Sequence, residues 1–303
     1  MIIPAVAIIT GLALPLLDKL KHAAVEDVII YTSQDQVYAE PILNEFEQRS
    51  GVKIRAVYDS EAVKTVGLVN RLLAERDHPR CDIFWNNEEL RTRQLAGKGL
   101  FEKWAAVGFR SRRIAVNTNK VSLATAPHSL AELTNESWRG KVALAYPLFG
   151  TTATHFLALR QLWGDERWQA WCRALAASNP FLVDGNSVAA GLVARGEAWI
   201  GLTDSDDIAA EQREGAPIVP LPLTEESLRV PNTIALVRGA PHRPAAEKLY
   251  GYLQRPEVVE KLVAAQALEG VSLPNGATLR PDWNRLLADL EAGTGSLKEI
   301  FLR

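Results

Sequence analysis

The chain has 303 residues, 47% of them hydrophobic and 23% charged, the balance of a globular protein long enough for two medium-sized domains. Its 34 lysines and arginines against 36 aspartates and glutamates leave a net charge of -2, without the basic excess that a nucleic-acid partner requires. Two cysteines, Cys81 and Cys172, stand far apart and outside any CxxC or Cys/His spacing, which argues against a structural zinc site or a disulfide framework and for two small buried hydrophobes.

From Ile2 to Leu17 the chain carries no charge. Residues 1–26 are expected to form an export signal or membrane anchor, although the run is shorter than the ~20 residues of a membrane span and lacks a basic leader. The alternative is an N-terminal arm packed on the first domain.

Val28-Ile29-Ile30-Tyr31 is a β-rich run ending in the polar tip Thr32 to Gln36, and the spacing of Val37, Ile42, Leu43 and Phe46 predicts a helix closed by Gly51. The pattern repeats with a strand Val52–Tyr58, a tip Asp59-Ser60-Glu61 and a helix near Lys64 to Glu75, and again with Cys81–Trp85 tipped by Asn86-Asn87-Glu88-Glu89. In a parallel sheet three such tips gather at one edge, beside helix N-termini. A short helix follows from Arg91 to Gly99. Phe101 to Phe109 shows no period, and Arg112 to Thr118 reads as a strand leaving the first lobe.

The second half opens with a strand Lys141–Tyr146 and a turn, Pro147 to His155, whose Thr151 and Thr152 stand at the head of an apolar helix running through Leu162. Their hydroxyls and amides suit a ligand carboxylate or anion, or serve only as an ST-turn and cap. His155 lacks a second ligand at metal spacing and is expected to be packing. Trp163, Trp168 and Trp171 are spaced for one helical face and read as core and lobe surface, not as a carbohydrate platform. Asp184 to Ser187 forms a turn before a helix Val188–Arg195. Then comes the densest chemistry in the chain, Thr203-Asp204-Ser205-Asp206-Asp207, directly after the apolar run Ala198-Trp199-Ile200. Crowded carboxylates raise one another's pKa unless a cation, an arginine or a helix N-terminus answers them; one of them capping the following helix is the plainer reading. Val230–Val237 is a candidate return crossover, and helices are expected from Pro241, from Pro256, and from Asp282 to Leu290.

Taken in order, Tyr31-Thr32-Ser33-Gln34-Asp35, Ser50-Gly51-Val52, Asp82-Ile83-Phe84-Trp85, Trp138-Arg139-Gly140-Lys141, Gly185-Asn186-Ser187-Val188, Gly196-Glu197 and Pro231-Asn232-Thr233 resemble the extracellular solute-binding proteins of ABC importers, in particular the group with the periplasmic ferric-ion-binding proteins. The resemblance implies a two-lobed α/β fold of the periplasmic-binding-protein type II, with two crossover strands as hinge. It implies a periplasmic or extracellular receptor, possible to anchor by its N-terminus, without catalysis and without a cofactor beyond a bound metal ion as ligand. Its partners would be a small-molecule or metal-ion ligand and a membrane permease, and it would act as a monomer. Lobe one would hold residues 27–113 and 236–303, lobe two residues 114–235.

Ferric-binding relatives use a histidine, a glutamate and a tyrosine pair as ligands. The corresponding places here hold Asp35, Asn87 beside Glu88, and Asp206-Asp207. Absence of the phenolates weakens the case for iron while leaving hard oxygen donors for a cation. The expected ligand-binding residues are Ser33, Asp35, Ser60, Glu61, Asn87, Glu88, Thr151, Thr152, Asn186, Asp204, Asp206 and Asp207, with Asp35, Glu88, Asp206 and Asp207 as metal donors. Two signs of ligand stay open. Either the acids take a metal ion or an amine, or Lys64, Arg91 or Arg112 neutralises them and the cleft takes an anion such as a phosphonate. A metal-assisted hydrolase on the same scaffold is the enzymatic alternative, unsupported by any catalytic motif. A transcription-factor effector domain would need a DNA reader that the apolar N-terminus does not supply.

Overall fold

The computed structural model describes residues 27–59, 66–221, 223, 225–272 and 278–302. The expected signal or anchor, Ser60, Glu61 and Lys64 lie outside the described residues.

The first unit is β1 (Asp27–Thr32), α1 (Gln36–Ser50), β2 (Lys53–Tyr58), α2 (Val66–Ala74), β3 (Ile83–Asn86) and α3 (Glu89–Gly97). β1 pairs in parallel with β2 and β3, so the C-terminal ends of the three strands lie at one edge as the sequence pattern requires. β4 (Phe101–Asn117) then runs 17 residues. The second unit contains β5 (Val142–Ala145), α4 (Gly150–Trp163), α5 (Asp165–Ala177), β6 (Phe181–Val183), α6 (Asn186–Ala194), β7 (Ile200–Asp204), α7 (Ser205–Arg213) and β8 (Ile218–Leu221). The chain returns through β9 (Arg229–Val237) to α8 (Arg243–Leu253) and α9 (Pro256–Ala264), and ends in α10 (Trp283–Phe301).

The strands are ordered β2-β1-β3-β9-β4-β7-β5-β6, with β8 also on β4. β4 belongs to both halves. Its residues 101–111 pair antiparallel with β9, while 112–117 pair with β7 and β8. The segment without a sequence period is thus the first part of this crossover. Its alternation fails because a register shift falls between Ala106 and Phe109. Gly108 at that irregularity has φ +66°, and a Cβ there would lie 2.5 Å from Leu268 Cδ1 and 2.9 Å from the Gly270 carbonyl, a close approach only glycine permits.

Apolar residues fill both faces of each half. Val28, Ile30 and Trp85 pack under Phe46, Leu249 and Leu253, and Phe84 and Phe101 under Leu68 and Leu72. In the other half Leu144 and Ile200 pack with Phe156, Trp168 and Trp171. Trp168 and Trp171 are core and Trp163 is partly buried against it; Gly164 divides them between α4 and α5, so Trp163 meets Trp171 edge-on at 5.2 Å from the neighbouring helix. The final helix is twice the expected length. It continues past Leu290 because Gly293, a helix-weakening residue by itself, lets α10 lie against Leu157 of α4: a Cβ would stand 2.3 Å from Leu157 Cδ2. Leu297 and Phe301 of α10 join the core of α4 and α5.

Candidate functional site

At the tips of β1 and β3, Ser33 and Asn87 hold one another. Asn87 Nδ2 donates to the Ser33 carbonyl at 2.9 Å, and the Asn87 N–H donates to Ser33 Oγ at 3.0 Å. Both are buried, and Asn87 also lines the cleft. Glu88, expected as a metal donor, is the N-cap of α3: its two oxygens accept the N–H groups of Leu90 (2.7 Å) and Arg91 (3.0 Å). Burial raises its pKa despite Arg91 nearby. It stands apart from the acid cluster and instead accepts the Thr154 hydroxyl of α4 at 3.3 Å. Asp35 is the N-cap residue of α1 by position, but its carboxylate makes no capping bond there.

In the other half, the acidic loop is the end of β7 and the first turn of α7. Asp207 takes the capping role in part, its Oδ2 accepting the Asp204 N–H at 3.4 Å and the Thr203 hydroxyl at 2.9 Å. Asp204 is turned to two arginines on β4. Arg112 Nη1 donates to it at 2.8 Å, and Arg110 Nη2 lies 3.4 Å away. Arg110 also pairs with Asp206. All four side chains are almost wholly buried. Thr151 donates to Asp204 at 2.6 Å; Asn186 donates to Asp204 at 3.1 Å and accepts from Arg112 and from Thr152, both at 3.0 Å. Thr151, Thr152 and Asn186 therefore position the arginine–aspartate network.

Of the three expected neutralisers, Arg112 does so, whereas Arg91 bonds Gln94 within α3. Arg110 was not anticipated. The signal was present, since residues two apart on a strand share a face, and Arg110 and Arg112 on β4 do.

Three carboxylates converge across the halves: one oxygen each from Asp35, Asp206 and Asp207 lie within 4.8 Å of one another. Burial, then the charges of Asp206, Asp204 and Asp35, push the Asp207 carboxyl well above the usual carboxylate range. For Asp204 burial acts in the same direction, but the Arg112 and Arg110 guanidiniums outweigh it and hold its carboxyl below that range. Beside the cluster, between Arg110 and the first turns of α4 and α6, is a cavity of about 30 Å³ with Tyr146, Phe149, Thr151 and Asp184 in its lining. That is the space of about one water molecule.

His155 is packing: it is fully buried, its Nε2 lies 2.7 Å from the Glu226 carbonyl, and burial followed by Arg112 pulls its pKa down to about 3. Its ring resonances are expected to stay unshifted in an NMR titration from about pH 5 to about pH 8; a titration within that window would contradict this burial.

The family model for the bacterial extracellular solute-binding protein matches residues 28–265. The chain belongs to this family. Among curated relatives, the major ferric iron-binding protein of Neisseria meningitidis serogroup A is 22% identical over 273 residues, covering 80% of each chain. Two solved structures share the two-lobed fold. Iron-bound HitA from Pseudomonas aeruginosa superposes with a TM-score of 0.78 at 18% identity over 91% of this chain and 99% of that one. AfuA from Actinobacillus pleuropneumoniae, with fructose-6-phosphate bound, superposes with a TM-score of 0.80 at 19% identity and the same coverage. This solute-binding protein is accordingly a two-lobed α/β protein of the periplasmic-binding type, and its relatives are binding proteins, not enzymes.

Proposed function

We propose that this solute-binding protein is the extracytoplasmic receptor of an ABC importer, a monomer that captures a small cation between its lobes and presents it to the membrane permease. The observation that carries the reading is the meeting of Asp35 from one half with Asp206 and Asp207 from the other. Among the described residues, Arg112 is paired with Asp204, and Arg110 is paired with Asp206 of the cluster. Four carboxylates of the described residues, Asp35, Asp204, Asp206 and Asp207, then gather with the two guanidiniums of Arg110 and Arg112, and a metal ion or an amine would offset the acids. The ferric-binding relatives are consistent with a hard cation, and carboxylate oxygens are suitable donors for one. The lobes would move about β4 and β9; α10, expected within lobe one, packs on α4 and α5 of the second half and also meets α3 of the first.

One observation favours an anion instead. α4 and α6 begin at the cavity without a side-chain cap, Arg110 lines the same space, and AfuA binds a sugar phosphate; helix N-termini and guanidinium together suit a phosphate or phosphonate. Calorimetric titration separates the two. Ferric citrate, manganese, calcium, spermidine, fructose-6-phosphate and aminoethylphosphonate would be titrated into wild type and into Asp206→Asn/Asp207→Asn. Cation binding that the double variant abolishes is the expected result. An anion bound equally well by both proteins, with no cation bound by either, would overturn the reading.

A further inference from the structure

The acids occupy only the head of α7. Its other end, seven residues and thus about 10 Å further along the axis, carries Arg213, which reaches out of its own half into the first. Arg213 Nη1 donates to the Ala265 carbonyl at 2.5 Å, and Nη2 donates to the Tyr38 hydroxyl at 2.6 Å. Its guanidinium also lies over the Tyr38 ring, 5.5 Å from the centroid. Each acceptor has a reason to be there. Ala265 is the C-cap residue of α9, where unpaired carbonyls concentrate the negative end of the helix dipole. Tyr38 is buried in the first turn of α1, three residues after Asp35. The same two helices, α1 and α7, therefore face each other twice, through acids at Asp35 and Asp206-Asp207 and through the cation-to-hydroxyl bond from Arg213 to Tyr38, while the Ala265 carbonyl ties Arg213 to α9.

We infer that Arg213 is the closure-positioning residue of this receptor, a latch that ties the tail of α7 to α1 and α9 and holds its acidic head against Asp35. The inference rests on the proposed solute site for its purpose, but the latch itself is defined by bonds that contain no solute. Arg213 is solvent-exposed and belongs to neither the arginine–aspartate network nor the acid cluster, so it acts through the position of α7. The planar fork of arginine serves two acceptors at once, which a lysine ammonium on a flexible stem does not reproduce. Other contacts also join the halves, among them the Thr154 to Glu88 bond at 3.3 Å and the Arg113–Glu269 ion pair at 3.2 Å, but of these Arg213 is the one that ties the tail of α7 to α1 and α9.

The test uses the full chain as wild type, Arg213→Ala, Arg213→Lys and Tyr38→Phe, with thermal melts to establish folding; Tyr38→Phe keeps the buried ring and removes only the acceptor. Small-angle scattering without added metal reports lobe separation, and stopped-flow transfer of ferric ion to EDTA reports release. Arg213→Ala is expected to show a larger radius of gyration and to release ferric ion about three- to tenfold faster, the loss of one to two modest hydrogen bonds. Tyr38→Phe should fall between, Arg213→Lys should not restore the wild-type rate, and the pH midpoint of binding should stay in place. Scattering and release identical to wild type in Arg213→Ala would overturn the latch, as would a shifted pH midpoint, which would put Arg213 in the electrostatics of the site. If wild type binds no ferric ion, only iron as the cation is ruled out, and scattering without added metal decides the latch by itself.

Discussion

Replacing Arg112 with alanine is expected to cost about 3–5 kcal/mol of folding stability, the range for removing one partner of a buried ion pair. The guanidinium is fully buried and meets Asp204, Asn186 and the Leu202 carbonyl. Its loss leaves a buried carboxylate with only the more distant Arg110 as countercharge, together with orphaned acceptors. Urea unfolding monitored by circular dichroism measures the change. Arg112→Ala/Asp204→Asn should recover part of it, because the uncompensated charge is gone. A single variant within 1 kcal/mol of wild type, a tolerance set by ordinary mutational scatter of about that size, would show that the network is not a structural pivot. The pH dependence follows the depressed pKa of Asp204. Its contribution is present above its unfolded-state value and is lost as the pH falls through the lower folded value.

Cation affinity is expected to rise with pH, and Asp207 sets the sign. Its carboxyl is held protonated well above the usual range by burial and by its neighbours Asp206, Asp204 and Asp35. A metal ion binds the carboxylate, so below that raised value binding must expel a proton, and affinity falls up to about tenfold per pH unit for each proton displaced. Stability of the cation-free form runs the opposite way. Asp207 contributes most below its unfolded-state value, and this is lost as the pH rises toward the raised folded value. Titrations at a series of pH values from about 5 to about 8 should show the slope, and Asp207→Asn should flatten it while lowering affinity. A solute whose affinity rises as the pH falls would place an anion in the cleft.

The elements that positioned the site were legible because they obey local rules. Strand, polar tip and helix follow one another from Val28 to Glu89, and a parallel sheet does the rest. The acidic loop was visible for the same reason, as was its double reading: Asp207 both contributes to the cap of α7 and stands in the acid cluster. What the pattern did not show were partners remote in the chain. Glu88 looked like a donor because the polar tip of β3 is close to the cleft, but its oxygens are spent on the first turn of α3. Arg110 was missed although it lies two residues before Arg112 on the same strand, because its partners Asp204 and Asp206 are more than ninety positions away in the chain. The length of α10 was missed because two glycines normally end such a run, and only the proximity of α4 explains Gly293.

The placement of β9 bears on how the chain comes together as it is made. β9 stands between β3 and β4, pairing Ile83 with Leu236 and Asn86 with Thr233, so the middle of the first sheet is supplied by residues about 150 positions later. Until that segment is available, β3 keeps an unpaired edge, and α8 and α9, which cover the same core, are also missing. Pairing over such separations is entropically costly and slow. A chain emerging from its N-terminus thus cannot finish its first lobe before nearly the whole of the second has been synthesised. Folding should therefore be late and concerted, with an aggregation-prone strand edge exposed in the interval.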